Sequence, residues 1–152
     1  MKKTPFALLL CLFLLSSLNS LAQNPDELVK KFFNEYETQG ATVSLDNLYE
    51  TNPWVNRNAD AIKNLKTQLN GMNEDLVGKL RGRELIVRKT LGESFVLMSY
   101  MVKFDRQPIR FTFEFYKPKD KWILFAFLFD DNLDDELEEA AKIHMLKKLN
   151  DN

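Results

Sequence analysis

The densest set of oxygen ligands lies near the C-terminus, where Asp130, Asn132 and Asp134 have the spacing of the first, third and fifth positions of a calcium-binding loop. Such a loop needs glycine at its sixth position and a bidentate glutamate at its twelfth, and this chain has Asp135 and Ala141 there. The same residues read more simply as the capped, acidic first turn of a helix, with carboxylates facing the positive end of the helix dipole. No metal is expected at them. Proton transfer is the second chemistry to consider, with Asp131 as base and Tyr100 as hydrogen-bond donor to a developing oxyanion. The plainer reading of Tyr100 is a core tyrosine whose hydroxyl finds a local partner. His144 is the sole histidine and has no second metal ligand within helical reach, so it reads as a packing or surface residue. No Ser/His/Asp set and no glycine-rich phosphate loop can be read in the sequence, and no cofactor is expected.

The N-terminus carries an address. Met1-Lys2-Lys3 leads into an apolar run over residues 6–15, and Ser20 and Ala22 stand where a signal peptidase requires small residues. This predicts a signal peptide over residues 1–22, cleavage after Ala22, and a mature domain over residues 23–152. A membrane span needs about 20 apolar residues, and Ser16 interrupts this run, so no stable membrane anchor is expected after cleavage. The protein is therefore expected to be exported, to a periplasm or the outside of the cell. Cys11 is the only cysteine and lies within the signal, so the exported domain can form no disulfide and must fold on its core alone. Loss of Lys2 and Lys3 leaves 19 of the 21 basic residues against 22 acidic ones, a net charge of −3 with both signs mixed along the chain. That balance implies neither nucleic acid nor anionic membrane as a partner.

The elements that would position any site follow from hydrophobic period. Leu28, Phe32 and Tyr36, with Val29 and Phe33 beside them, predict a helix over residues 25–39 that Gly40 stops. Ser44 is placed to cap a short helix holding Leu45, Leu48 and Tyr49; Thr51-Asn52-Pro53 then turns the chain and delivers Trp54. Asn58 is placed to cap a third helix, whose apolar face is Ala59, Ile62, Leu65, Leu69 and Met72, and residues 71–82 read as a loop or helix end. From Glu84 the period changes to alternation, predicting strands over residues 84–90, 93–104, 109–116 and 121–130 in an antiparallel meander.

With Phe104 opposite Ile109, the residues Val96, Met98, Tyr100 and Val102 share a face with Phe111, Phe113 and Phe115. Ile123, Phe125, Phe127 and Phe129 are expected to join them. The opposite face then carries Arg110, Thr112, Glu114 and Tyr116, with Trp122, Leu124 and Leu128. Lys117, Lys119 and Lys121 at a hairpin tip read as a solvated guard against strand pairing. A last helix is expected from about residue 132, acidic at its start and basic at its end, with Leu133, Leu137, Ala140 and His144 on one face of a broad stripe.

Helices followed by a strongly aromatic antiparallel sheet, together with the hairpin Tyr116-Lys117-Pro118-Lys119-Asp120-Lys121-Trp122, resemble the nuclear-transport-factor-two-like (cystatin-like α+β) superfamily, in particular its small secreted bacterial members. The resemblance implies a curved, cone-like sheet wrapped around the helices and an apolar pocket inside it, used in that family for isomerases, cyclases, dehydratases and non-catalytic binding proteins. On this reading the chain is a single α+β domain, a non-catalytic binding or interaction module for a small apolar ligand. Tyr100, Trp54, Phe111, Phe113, Phe125 and Phe127 would line the pocket, and Arg110, Glu114, Tyr116 and Trp122 would form a homodimer surface. The alternatives are an isomerase-, cyclase- or dehydratase-type enzyme using Asp131 and Tyr100, and a structural homo-oligomer subunit whose own phenylalanines fill the pocket. Fold alone does not choose among them.

Overall fold

Asn24 caps the first helix: its side-chain oxygen accepts a hydrogen bond from the Glu27 backbone N–H at 2.9 Å. Pro25 follows at the first helical position, and Asp26 and Glu27 occupy the first turn. The resulting helix α1 (Pro25–Gln39) ends at Gly40, whose φ of 88° and ψ of 176° belong to a region open essentially to glycine alone. The computed structural model describes residues 24–54 and 59–150; the expected signal peptide, its expected cleavage site and the expected Asn58 cap lie outside them. Helix α2 (Ala41–Tyr49) follows Gly40 directly. Ser44 therefore lies inside α2 rather than at its cap, and its hydroxyl donates to the Ala41 carbonyl at 3.0 Å.

Helix α3 (Ala59–Gly71) is followed by α4 (Glu74–Val77), a single turn in the stretch expected to be a loop, whose N-cap Asn73 accepts from the backbone of Asp75 and Leu76. Strands β1 (Leu80–Leu91), β2 (Phe95–Phe104), β3 (Pro108–Tyr116) and β4 (Ile123–Asp130) form one antiparallel sheet in the order β1-β2-β3-β4, and α5 (Leu133–Asn150) ends the fold.

The sheet corrects the family resemblance. It is an open meander whose first and last strands are both edges; it is neither curved into a cone nor closed. The α+β class stands, but the nuclear-transport-factor-two-like and cystatin-like assignment does not. The space assigned to a pocket is filled from the helical side, because Phe32 and Phe33 of α1 insert between the strand phenylalanines. Phe32 meets Phe113 edge-on with ring centres 5.1 Å apart, and Phe33 stacks on Phe111 at 6.1 Å. All four rings are fully buried, with Leu45 of α2 and Leu69 of α3 beside them. Rings packed at such distances leave no room for a ligand.

Register explains both what alternation revealed and what it concealed. Between β2 and β3 the partners are Val96 with Phe115, Met98 with Phe113, Tyr100 with Phe111, and Val102 with Ile109. This lies two residues from the expected pairing, and an even displacement leaves every side chain on its expected face. Between β3 and β4 a bulge intervenes: Phe113 pairs with Phe127 and Glu114 with Ala126, but Phe115 pairs with Leu124. The extra residue is Phe125. Leu124 consequently turns into the core, Trp122 packs against it, and Phe125 is 60% exposed on the other side. These three side chains, and Ile123, which pairs with Tyr116, are on the opposite faces from those expected.

The two edges are protected differently. On β4, the Leu124 carbonyl accepts from the Asn52 side chain at 2.7 Å and its N–H donates to the Thr51 hydroxyl at 2.9 Å, so the turn after α2 covers the edge at the bulge. Edge strand β1 instead carries charge facing α1, with Arg83 paired to Glu37 at 3.1 Å and Arg88 to Asp26 at 3.4 Å.

Candidate functional site

Three places where ligands or partners could meet this fold emerge from its geometry. The first is the sequence-predicted pocket wall. Phe111, Phe113 and Phe127 are buried core residues, whereas Phe125 is not part of that wall at all. Tyr100 is half-buried, with its ring 5.4 Å from Phe33 and 6.0 Å from Phe113. Burial raises its hydroxyl pKa, with a smaller upward push from Asp26, against which Arg83 and Arg88 act. The charges around it thus come from α1 and β1. Asp131 is exposed in the turn after β4. Two strand spacings, about 10 Å, separate the strand of Tyr100 from the strand that leads to Asp131, so the fold does not bring this acid–base pair together. Trp54 is 64% exposed, held on a turn in which the Asn52 side chain accepts from the Trp54 N–H at 2.9 Å.

The oxygen-rich run after β4 is occupied by protein. Arg110 grips Asp130 through two hydrogen bonds, Nε to Oδ2 at 3.0 Å and Nη2 to Oδ1 at 2.7 Å, and also contacts Glu136. Asp130 Oδ1 additionally accepts from the Asn132 N–H at 3.0 Å. A bidentate guanidinium–carboxylate pair of this kind consumes the acceptors that a cation would need.

The second place is the face of the sheet turned away from α1–α4. Arg110, Glu114 and Tyr116 lie on it as expected; Trp122 does not, because of the bulge. In its place the face gains Phe125, which meets Phe95 edge-on at 5.3 Å, while Phe95 in turn lies 6.5 Å from Tyr116. Leu128 continues the apolar run along β4 and is 52% exposed, and Tyr116 is 40% exposed. Leu97 and Met101 lie beneath, and the polar centre is a Ser99–Thr112 hydroxyl pair at 3.2 Å. A contiguous set of large apolar side chains left in water is the surface feature that marks an interaction site.

The third is a cleft of about 710 Å³ between the end of α1, the α3–α4 junction and the start of β1. Leu69, Tyr36, Met72, Leu80 and Phe104 give it an apolar lining, and Glu37, Lys79 and Arg81 stand at its rim. Burial pushes the Tyr36 hydroxyl up to about 12, so it is a neutral donor throughout the physiological range. Opposite, Asp105 accepts from Arg81 Nε at 2.6 Å and from the Lys79 N–H at 3.0 Å, and these bonds hold its carboxyl below the ordinary range.

Neither the cleft nor the position of Phe125 was visible in the sequence. The cleft joins residues more than forty positions apart in the chain. For Phe125 a signal did exist: the unbroken apolar run over residues 122–129 fits alternation in either phase, which is where a bulge can hide. Among the described residues no helix is long and apolar enough to cross a membrane. Comparison of the chain with protein families, with curated proteins and with solved structures gives no match.

Proposed function

We propose that this chain is an exported, non-catalytic interaction module that engages a protein partner through the face of its sheet turned away from α1–α4. The observation that carries this reading is the exposed cluster of Phe125, Leu128 and Tyr116, backed by Phe95, on a face that α1–α4 leave uncovered. Export rests on the charged start, apolar run and Ser20/Ala22 pattern of residues 1–22. Covering side chains of this size contributes on the order of 1.5–3 kcal/mol each when burial is complete, enough for a few of them to anchor a partner. A photo-reactive amino acid placed at position 125, with position 119 at the hairpin tip as control, tests the reading in producing cells. It predicts a discrete cross-linked species at 125 and not at 119; equal or absent cross-linking at both would contradict it. Mass spectrometry of the same material tests export, with Gln23 as the expected first residue.

A second reading, a small-molecule binder, is favoured by the cleft beside Tyr36, whose volume falls within the roughly 300–1,000 Å³ of ligand sites. Filling it with Met72→Trp would abolish small-molecule chemical shift changes at Gly40, Gly78 and Gly82, all of which border it.

A further inference from the structure

Helix α5 (Leu133–Asn150) has 18 residues and meets the domain at its beginning, where Leu133 is half-buried and Glu136 meets Arg110. From Asp134 to Lys148 every side chain is exposed, including Leu137 at 74%, Met145 at 65%, Leu146 at 61% and Ile143 at 48%. A helix of this length standing alone in water is marginal, because helices owe most of their stability to packing of an apolar face. Something is expected to supply that packing.

The charges identify it. Asp134, Asp135, Glu136, Glu138 and Glu139 all precede Ala140, whereas Lys142, Lys147 and Lys148 all follow Ala141. Within one chain this division suits the helix dipole. Between two copies it is self-complementary in one orientation only: antiparallel helices set the acidic half of each beside the basic half of the other, and parallel helices set like beside like. A crossing centred on the small pair Ala140 and Ala141 lets the backbones approach and sets Leu137, which shares the face of Ala140, opposite His144 of the partner subunit. We propose that α5 is a self-association helix, through which two copies of this chain pair antiparallel. The inference concerns a different surface from the sheet face and stands or falls separately from it.

The test is sedimentation velocity on the chain as recovered from producing cells, over a range of concentrations. The expected result is a monomer–dimer equilibrium that weakens at least about tenfold in a variant whose second half is made more acidic (Lys142→Glu with Lys147→Glu) and in one whose first half is made more basic (Glu138→Lys with Glu139→Lys), and that returns when the two variants are mixed. Glutamate and lysine are both strong helix formers, and circular dichroism of each variant separates loss of the dimer from loss of the helix. Leu137→Asp is expected to abolish pairing, and Phe125→Lys to leave it unchanged. A wild-type chain that remains monomeric at about 100 μM, above the micromolar range of modest interfaces, would overturn the proposal. So would charge variants that dimerise as well as wild type, or a dimer lost on Phe125→Lys alone, which would assign the contact to the sheet face.

Discussion

The two faces of this sheet are built from the same strands and nearly the same residue types, yet one is closed and the other open. On the helical face Phe111, Phe113 and Phe115 are fully buried and are met by Phe32 and Phe33 of α1. On the far face Phe95 meets Tyr116 and Phe125, and Tyr116, Phe125 and Leu128 remain exposed. What differs is the covering layer, so aromatic content alone does not tell a core from a contact surface. The difference has energetic content: the first set secures the fold, and the second is available to secure something else.

The sharpest way to break the comparison is to truncate one ring on each face. Phe113→Ala, inside the core, is expected to cost about 3–5 kcal/mol through lost burial and an unfilled cavity. Phe125→Ala is expected to change monomer stability by no more than about 0.5 kcal/mol. Denaturant unfolding of both variants measures the contrast, and equal costs would mean that the far face is packed in the isolated chain.

Gly78 tests what holds the end of the core face in place. Its φ of 83° and ψ of −174° are a glycine conformation, and a Cβ there would stand 2.5 Å from the Cβ of Asp105. Gly78→Ala is expected to destabilise by about 1–3 kcal/mol from backbone strain alone, and to disturb the Asp105 turn in addition, as NMR shifts of Lys79 and Arg106 would report. Next in size is the protected β4 edge. Asn52→Ala, which removes the donor to the Leu124 carbonyl, is expected to cost about 1 kcal/mol and to speed amide exchange around the bulge.

Alkaline pH separates the helical side by a different route. The Tyr36 hydroxyl is raised by burial from 10.0 to about 12 in the folded state. The folded chain therefore holds this proton more tightly than the unfolded chain. That contribution to stability is complete below pH 10, declines above it, and is gone by about pH 12. Tyr36→Phe should flatten this part of the stability–pH curve, and an unchanged curve would place the hydroxyl in water.

Much of the fold could be read in the sequence because strict alternation in β3, with Ile109, Phe111, Phe113 and Phe115 against Arg110, Thr112 and Glu114, leaves one choice of face, and an error of two residues in register with β2 does not alter it. Residues 122–129 offered no such constraint, since nearly every one is apolar, and there the bulge reversed Trp122, Ile123, Leu124 and Phe125. The cone-like sheet failed for a reason of volume. A pocket beneath β2–β4 requires small or distant helix residues, and α1 presents Phe32 and Phe33. Arg110, by contrast, was correctly placed on the far face, but its grip on Asp130 and its contact with α5 depend on side-chain reach that pattern does not encode.

The central claim, that the face turned away from α1–α4 is a contact surface, meets its most direct test in the reactivity of a single thiol. Cys11 is the only cysteine and belongs to the segment expected to be removed on export, so Leu128→Cys would give the exported chain one thiol, in the middle of the exposed face. Its rate of alkylation is to be compared between the purified, dilute chain and the chain in its native surroundings. The account predicts rapid labelling when pure and at least about tenfold protection in place, the protection expected of a surface engaged most of the time. Equal rates in both settings would contradict it.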